Sequence, residues 1–260
     1  MAILEMEEIM KKKILAGILT GLLAVGVLAG CGGEQGGGAA GNSDVQTEGT
    51  ETGQKAEGKG TITVAASATP HSEILEQAKP ILAEQGWDLQ VKVFDDYNLP
   101  NEVVESGEFD ANYFQHIPYL ENFNETKGTH LVNAGGIHYE PYGIYPGTKK
   151  DLSELAEGDV IAVPNDTTNE ARALLLLQDN GIIKIREGAG LEATVNDIVE
   201  NPYNVEIQEL EAAQVARVVP EVEFVVLNGN YALAAGYSVA KDAIAYEKSD
   251  SEAAQTYDRK

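Results

Sequence analysis

Apolar and polar positions change rhythm several times along the chain, and each change predicts an element. From Thr61, "TITVAAS" alternates like a strand. Thr69-Pro70 reads as a helix cap with a first-turn proline. Ile74, Ala78, Ile81 and Leu82 share one face of the helix that follows. Pro80 should kink or shorten that helix, and Gly86 ends it. "LQVKVF" (Leu89 to Phe94) is the next strand, and Pro100 opens a short helix. In "DANYFQHIPYLENF", Pro118 forbids one continuous helix, so Ala111 to Gln115 is extended and a helix starts at Pro118. Further strands are predicted near Leu131 and at Val160 to Val163, Val205 to Gln208 and Phe224 to Leu227. Helices are predicted at Asn169 to Asp179, at Thr194 to Val199 and between the last two strands. Strands alternating with helices give an α/β fold class.

The N-terminal region has a different pattern. Lys11, Lys12 and Lys13 precede an uncharged run from Ile14 to Gly30, which ends in "LAGC" at Cys31. A basic patch, an apolar core and small residues before a cut make a secretory signal over residues 1–30, and the run is short for a spanning helix. The "LAGC" ending resembles a bacterial lipobox, in which the cysteine is lipidated and becomes the mature N-terminus. The chain is therefore expected at the extracytoplasmic face of the cell membrane, held by lipid on Cys31. Gly32 to Gly60 has scarcely any large apolar side chain and reads as a flexible tether over residues 31–60. Glu5, Glu7 and Glu8 ahead of the lysines are wrong for a signal peptide, so Met10 is the expected start.

Composition narrows the partners. The formal net charge is -24, and 43% of the 260 residues are hydrophobic. That acidity argues against nucleic acid, whose phosphates need Lys and Arg. It is compatible with a small neutral or zwitterionic ligand. Cys31 is the one cysteine, so no intrachain disulfide forms. No GxSxG elbow or other nucleophile constellation is visible, and no enzyme activity is expected.

Three stretches carry candidate chemistry. In "PNDTTNEARALLLL", Thr167 and Glu170 have capping-box spacing, and Arg172 sits one turn into the helix beside Asn169. A helix start and a planar guanidinium suit a carboxylate. The competing reading, a surface pairing of Arg172 with Glu170 or Asp166, has equal weight on spacing alone. In "LNGNYALAAG", a strand delivers Asn228 at its carboxyl end, where open α/β sheets bind ligands. A plain turn at Asn228 and Asn230 fits that pattern better. In the Asp110 to Tyr119 stretch, a histidine and two tyrosines exceed what core filling explains, because their polar atoms need partners when buried. Two other matches carry little. "GAGLEA" (Gly188 to Ala193) matches a dinucleotide fingerprint, but Glu187 would repel a pyrophosphate. His116, His138 and Glu140 form only a weak metal-ligand set, so neither a cofactor nor a metal is expected.

Taken in order, "LAGC", "PHSEILEQAKPIL", "FDANYFQHIPYLENFN", "GGIHYEPYGIY", "IAVPNDTTNEARALLLLQDNGIIKI", "ATVNDIVENP" and "LNGNYALAAG" resemble the NlpA/MetQ-like substrate-binding lipoproteins of methionine ABC importers. The resemblance spans Thr61 to Tyr257. It implies a two-lobed, type 2 periplasmic-binding-protein-like fold with ligand in the interlobe cleft. Residues 61–145 plus 230–260 would form one lobe and 146–229 the other. It places the carboxylate-binding arginine on Arg172, the helix-start asparagine on Asn169 and the returning-strand asparagine on Asn228. The aromatic pocket for the thioether falls on Tyr97, Phe114, His116 and Tyr119, with His138 less securely placed. The implied partners are L-methionine, a permease and its ATPase, and the membrane through the lipid, with the protein a monomer. D-methionine, methionine sulfoxide and a Met-containing dipeptide suit the same residues. A metal-binding lipoprotein is the remaining alternative. Two departures are expected to matter: threonine where the family usually has proline at Thr167 or Thr168, and "DRK" after "SEAAQTY". The latter reads as a frameshift or incomplete coding sequence that truncates the first lobe. N-terminal sequencing of the unprocessed precursor should begin at Met10, and a precursor beginning at Met1 would contradict that start.

Overall fold

In the computed structural model, which describes residues 58–248, the two larger β-sheets have three and five strands, and the five-stranded one carries an apolar cluster on each face. The signal peptide, Cys31, most of the tether and the departure after Tyr257 lie outside the described residues.

The first sheet is parallel, with strand order β2-β1-β3. Strand β1 (Gly60–Ala66) is central. It pairs with β2 (Trp87–Val93) in the register Val64↔Val91 and with β3 (Ala111–Tyr113) in the register Val64↔Ala111. Helix α1 (Glu73–Glu84) connects β1 to β2, and α2 (Leu99–Glu105) connects β2 to β3. The expected cap at Thr69-Pro70 is not where the helix starts. Thr69 is extended (φ -134°, ψ 140°), as a residue before proline prefers, and the regular helix begins at Glu73. Pro80 lies inside that helix, which runs on to Glu84. Its sheet-facing side is Leu75, Ala78 and Leu82, whereas Ile74 and Ile81 are exposed. Helix α3 (Ile117–Lys127) has Pro118 in its first turn and Gly128 in the left-handed conformation at its end. Phe114, Tyr119 and Phe123 form the small core beneath it, with Tyr97 and Leu131 packed alongside.

No strand forms near Leu131. The side chain of Asn124 accepts from the Leu131 N–H (3.1 Å) and donates to the Leu131 carbonyl (2.8 Å), so an amide from α3 does what a strand partner would.

The second sheet has the order β10-β4-β9-β5-β8. Its members are β4 (Gly143–Pro146), β5 (Val160–Pro164), β8 (Glu206–Leu210), β9 (Phe224–Leu227) and β10 (Ala245–Tyr246). Strands β5, β8 and β9 are parallel, and β4 runs antiparallel to both β9 and β10. Both faces are covered, so β5 and β9 are apolar at almost every position. Ile144, Ile161, Val163, Phe224 and Val226 face helix α4 (Thr167–Asp179) through Leu174 and Leu177. The alternate residues Tyr145, Ala162, Val225 and Leu227 face Val215 and Ala232 from the short helices α5 (Ala212–Val215) and α6 (Gly229–Ala234). Each fully buried Leu or Phe here contributes roughly 1.5–3 kcal/mol. Gly147 follows β4 at a crowded corner, where a Cβ would stand 2.2 Å from the Val222 carbonyl oxygen.

One expectation shifts. The helix predicted over Thr194 to Val199 is a single turn, Val195–Asp197, closed by a Thr194/Asp197 capping box. The β-branched Ile198 and Val199 then continue as strand β7 (Ile198–Glu200), paired with β6 (Lys184–Ile185). Gly143–Pro146 and Ala245–Tyr246, not predicted as strands, also pair into the second sheet. That sheet therefore draws on chain before residue 146 and after residue 229. "GAGLEA" sits in a turn and a short 3₁₀ segment, Gly190–Glu192, with no helix N-terminus to hold a phosphate. Among the described residues, no helix is long and apolar enough to cross a membrane.

Candidate ligand-binding site

Strand β5 ends at Pro164, and Asn165 and Asp166 turn the chain into α4. The predicted capping box is displaced by one residue. Asp166 is the cap, accepting from the Asn169 N–H (3.2 Å) and from the Asn169 side-chain amide (2.8 Å). Glu170 is thereby released from capping and accepts from the Val195 N–H at 3.0 Å. One turn in, Arg172 is 4% exposed. It does not pair with Glu170 or Asp166 at the surface. Its Nε donates to Glu247 Oε1 (2.9 Å), and its Nη2 donates to Glu247 Oε2 (2.6 Å) and to the Glu140 carbonyl (2.9 Å). The guanidinium lies 4.5 Å over the Tyr142 ring. Burial pushes the Glu247 carboxyl up. Hydrogen bonding to Arg172 and its charge outweigh that and hold it below the usual range.

From Arg172 a chain of side-chain amides crosses to β9. Tyr142 donates to Asn228 Oδ1 (2.8 Å), and Asn228 donates to Asn169 Oδ1 (3.0 Å). Asn228 stands at the carboxyl end of β9 and caps α6, so both asparagines singled out in the sequence meet in one hydrogen bond. Gly229 follows because Glu140 presses against it: a Cβ there would lie 2.8 Å from that side chain.

The segments that follow β2 and β3 supply an aromatic wall. Ring centroids are 5.7 Å apart for Tyr97 and Phe114, 5.8 Å for Tyr97 and Tyr119, and 6.0 Å for Phe114 and Tyr119. His116 immediately precedes α3, without a side-chain capping bond, and tilts against Tyr119 at 6.2 Å. Burial, and then the Arg172 charge, hold the His116 imidazole well below its ordinary pKa, so it is neutral. Two hydrogen bonds join this wall to α6: Tyr97 donates to Asn230 Oδ1 (2.6 Å), and Tyr231 donates to the Asp95 carbonyl (2.8 Å). Beside them a cavity of about 80 Å³ is lined by Tyr97, Tyr119 and Tyr231 on one side and by Asn165, Asp166 and Glu211 on the other. A larger cavity of about 320 Å³ lies between Glu102, Glu105, Phe123 and Lys127, and none of its lining residues belongs to the site.

Arg172, Asn169, Asn228, Tyr97, Phe114, His116 and Tyr119 are thus brought together. His138 is not part of the aromatic wall. Its Nδ1 is 2.6 Å from the Tyr113 hydroxyl and its Nε2 is 2.6 Å from Glu140 Oε1. Of the three residues weighed as metal ligands, His138 and Glu140 meet, but His71 takes the place expected for His116. Sequence reasoning missed Tyr142 and Glu247, and read Asn230 only as a turn residue. Tyr142 lies in the quoted "HYEPYGIY", and a tyrosine entering a buried strand is the one signal that pointed to it.

A positive, flat, oriented guanidinium, two amides and an aromatic wall suit a small molecule with a carboxylate at one end and an apolar, polarizable side chain at the other. A family model described as NlpA lipoprotein matches residues 62–257. The chain is 81% identical to a putative lipoprotein from Ruminococcus gnavus of known crystal structure, with a TM-score of 0.74 over 76% of this chain and 81% of that one. It is 39% identical to the methionine-binding lipoprotein MetQ of Bacillus subtilis, covering 92% of this chain and 81% of the relative. It is also similar to a nutrient binding protein from Burkholderia cenocepacia whose structure is bound to methionine: 43% identity, a TM-score of 0.71, and 76% and 87% of the two chains.

The cap region sets a pH dependence. Burial pushes the Glu170 carboxyl up to about 7. The Val195 hydrogen bond opposes this, and Glu209, Asp166 and Asp197 add to it. Burial likewise raises Asp166 to about 6. Between the unfolded and folded values the folded state keeps a proton that the unfolded chain loses. Stability therefore falls as pH rises from about 4.5 to about 7. Glu170→Gln keeps an acceptor for Val195 and removes the titration. It should stabilise the protein by about 1–3 kcal/mol above neutrality and change little in acid. Denaturant melts across pH test this, and an unchanged pH slope in the variant would contradict it.

Proposed function

The chain belongs to the NlpA lipoprotein family, and on that footing we propose that it is a lipid-anchored, extracytoplasmic solute-binding protein that captures methionine and delivers it to an ABC importer. The observation that carries the reading is the buried Arg172 and the Asn169–Asn228 bond on one side and the Tyr97, Phe114 and Tyr119 wall on the other, with the wall tied across by the Tyr97–Asn230 bond. Methionine's carboxylate meets Arg172 and Asn169, and its ammonium meets Asn228 and neighbouring carbonyls. Its thioether lies against the aromatic wall, and His138 stands at the edge. Glu247 acts as a positioning residue that keeps the guanidinium flat on Tyr142. The ligand carboxylate adds to the contacts of a group with five N–H donors.

Hydrogen bonds to charged groups contribute roughly 1.5–3 kcal/mol each, and sulfur–aromatic contacts roughly 0.3–1.5 kcal/mol. The charged end therefore dominates affinity and the aromatic wall sets selectivity. The cavity beside the wall, about 80 Å³, is small beside the roughly 300–1,000 Å³ of ordinary ligand sites, and Arg172 does not line it. Ligand entry therefore requires the two walls to part and close again, a hinge motion that presents a joint surface to the permease and its ATPase. Binding and release suffice for this role, and no bond is made or broken.

Arg172→Lys keeps a charge for Glu247 and loses the planar fork. Methionine affinity, measured by calorimetry on a variant shown to be folded by circular dichroism, should fall by about tenfold or more. An unchanged affinity would contradict the assignment. Tighter binding of D-methionine, methionine sulfoxide or a Met-containing dipeptide would redirect it.

A further inference from the structure

We propose that His71, His138 and Glu140 form a binding site for a divalent transition-metal ion, with zinc the best-suited occupant. The site is separate from the aromatic wall and borders the arginine. Each of the three residues offers one ligand atom, and these atoms lie within 4.8 Å of one another. Both imidazoles aim Nε2 at a single oxygen, Glu140 Oε1, at 3.4 Å from His71 and 2.6 Å from His138. Zinc bonds of about 2.0–2.1 Å in a tetrahedron place neighbouring donor atoms roughly 3.3 Å apart. The His71–Glu140 pair already has that spacing, and the partly exposed His138 reaches it by drawing back from Glu140 by less than roughly 1 Å and closing on His71 from within 4.8 Å. Two imidazoles and a carboxylate are a donor set that zinc accepts, with one position left for water or an anion.

The elements that bring these donors together are independent. His71 sits in the Ala68–Ser72 turn after β1, buried to 4% exposure. His138 and Glu140 are two apart in the irregular segment before β4, where their side chains meet at 2.6 Å. Two further features fit a metal. The Tyr113 hydroxyl holds His138 Nδ1 at 2.6 Å, the outer contact that orients a ligating imidazole through its other nitrogen. The His71 ring is buried and so held in place before any ion arrives. Its position is also set by packing, with ring centroids 4.7 Å from Tyr113 and 5.1 Å from His138. Because the Glu140 carbonyl accepts from Arg172, an ion here would sit one residue's width from the proposed carboxylate subsite.

The test is calorimetric titration of zinc into chelator-treated, full-length protein at neutral pH, with magnesium in excess to silence the surface carboxylates. Stoichiometric zinc is expected in the wild type. His138→Ala and His71→Ala should each lower affinity about tenfold or more, and Tyr113→Phe should lower it by about 10–100-fold. His130→Ala should leave zinc binding unchanged, since His130 pairs with Glu105 elsewhere. His138 is half-buried, so His138→Ala carries the test if His71→Ala fails to fold. Absence of stoichiometric zinc in the wild type, or undiminished zinc binding in folded His138→Ala, would overturn the site. Either result would leave methionine binding untouched, so the two readings fail separately.

Discussion

A single buried charge organises this molecule. Taking a guanidinium out of water costs several kcal/mol unless it is paired and hydrogen-bonded. Arg172 meets that demand with a carboxylate from the far end of the described chain, a carbonyl from the segment before β4, and the face of Tyr142. Those partners come from two stretches of chain far apart in sequence, residues 140–142 and Glu247, so the arginine fixes where both lie. Removing one member of the Arg172–Glu247 pair alone would leave an uncompensated buried charge, at roughly 3–5 kcal/mol. The pair specifies geometry more than it supplies stability, which comes from the apolar faces of the second sheet.

The sheet explains why the charge sits where it does. Alternation along β5 and β9 commits every side chain to one of two covered faces, leaving only the strand ends for polar work. At the carboxyl ends of these two parallel strands, Asp166 caps a helix and Asn228 starts another, and the Asn169–Asn228 bond closes the gap between them. Arg172 then projects from the first turns of the helix that the cap begins. The segments after β2 and β3 contribute rings rather than charges, so the two sides of the site differ in chemistry. That polarity matches a ligand with a charged end and a soft apolar end.

Much of this was legible in the chain and some was not, for identifiable reasons. Val160 to Val163 and Phe224 to Leu227 read as strands because burial on both faces leaves an unbroken apolar run. Pro118 split the aromatic stretch correctly because a missing N–H is tolerated only in a helix's first turn. The cap slipped by one residue because Asp166 and Thr167 are both good caps, and only the fold gives Glu170 another partner in Val195. The segment around Leu131 looked like a strand, but Asn124 satisfies its backbone from a helix. Glu247 was invisible: an isolated acid 75 positions from Arg172 has no periodicity to announce it. Spacing placed His138 beside Glu140, which it meets, but could not reveal His71, which arrives from a separate turn after β1.

The most direct measurement is mass spectrometry of small molecules released when the purified, natively folded protein is denatured. Methionine released in stoichiometric amount is the expected result. Release of an unrelated molecule in that amount, with no exchange against added methionine, would contradict methionine capture by the Arg172 and aromatic site.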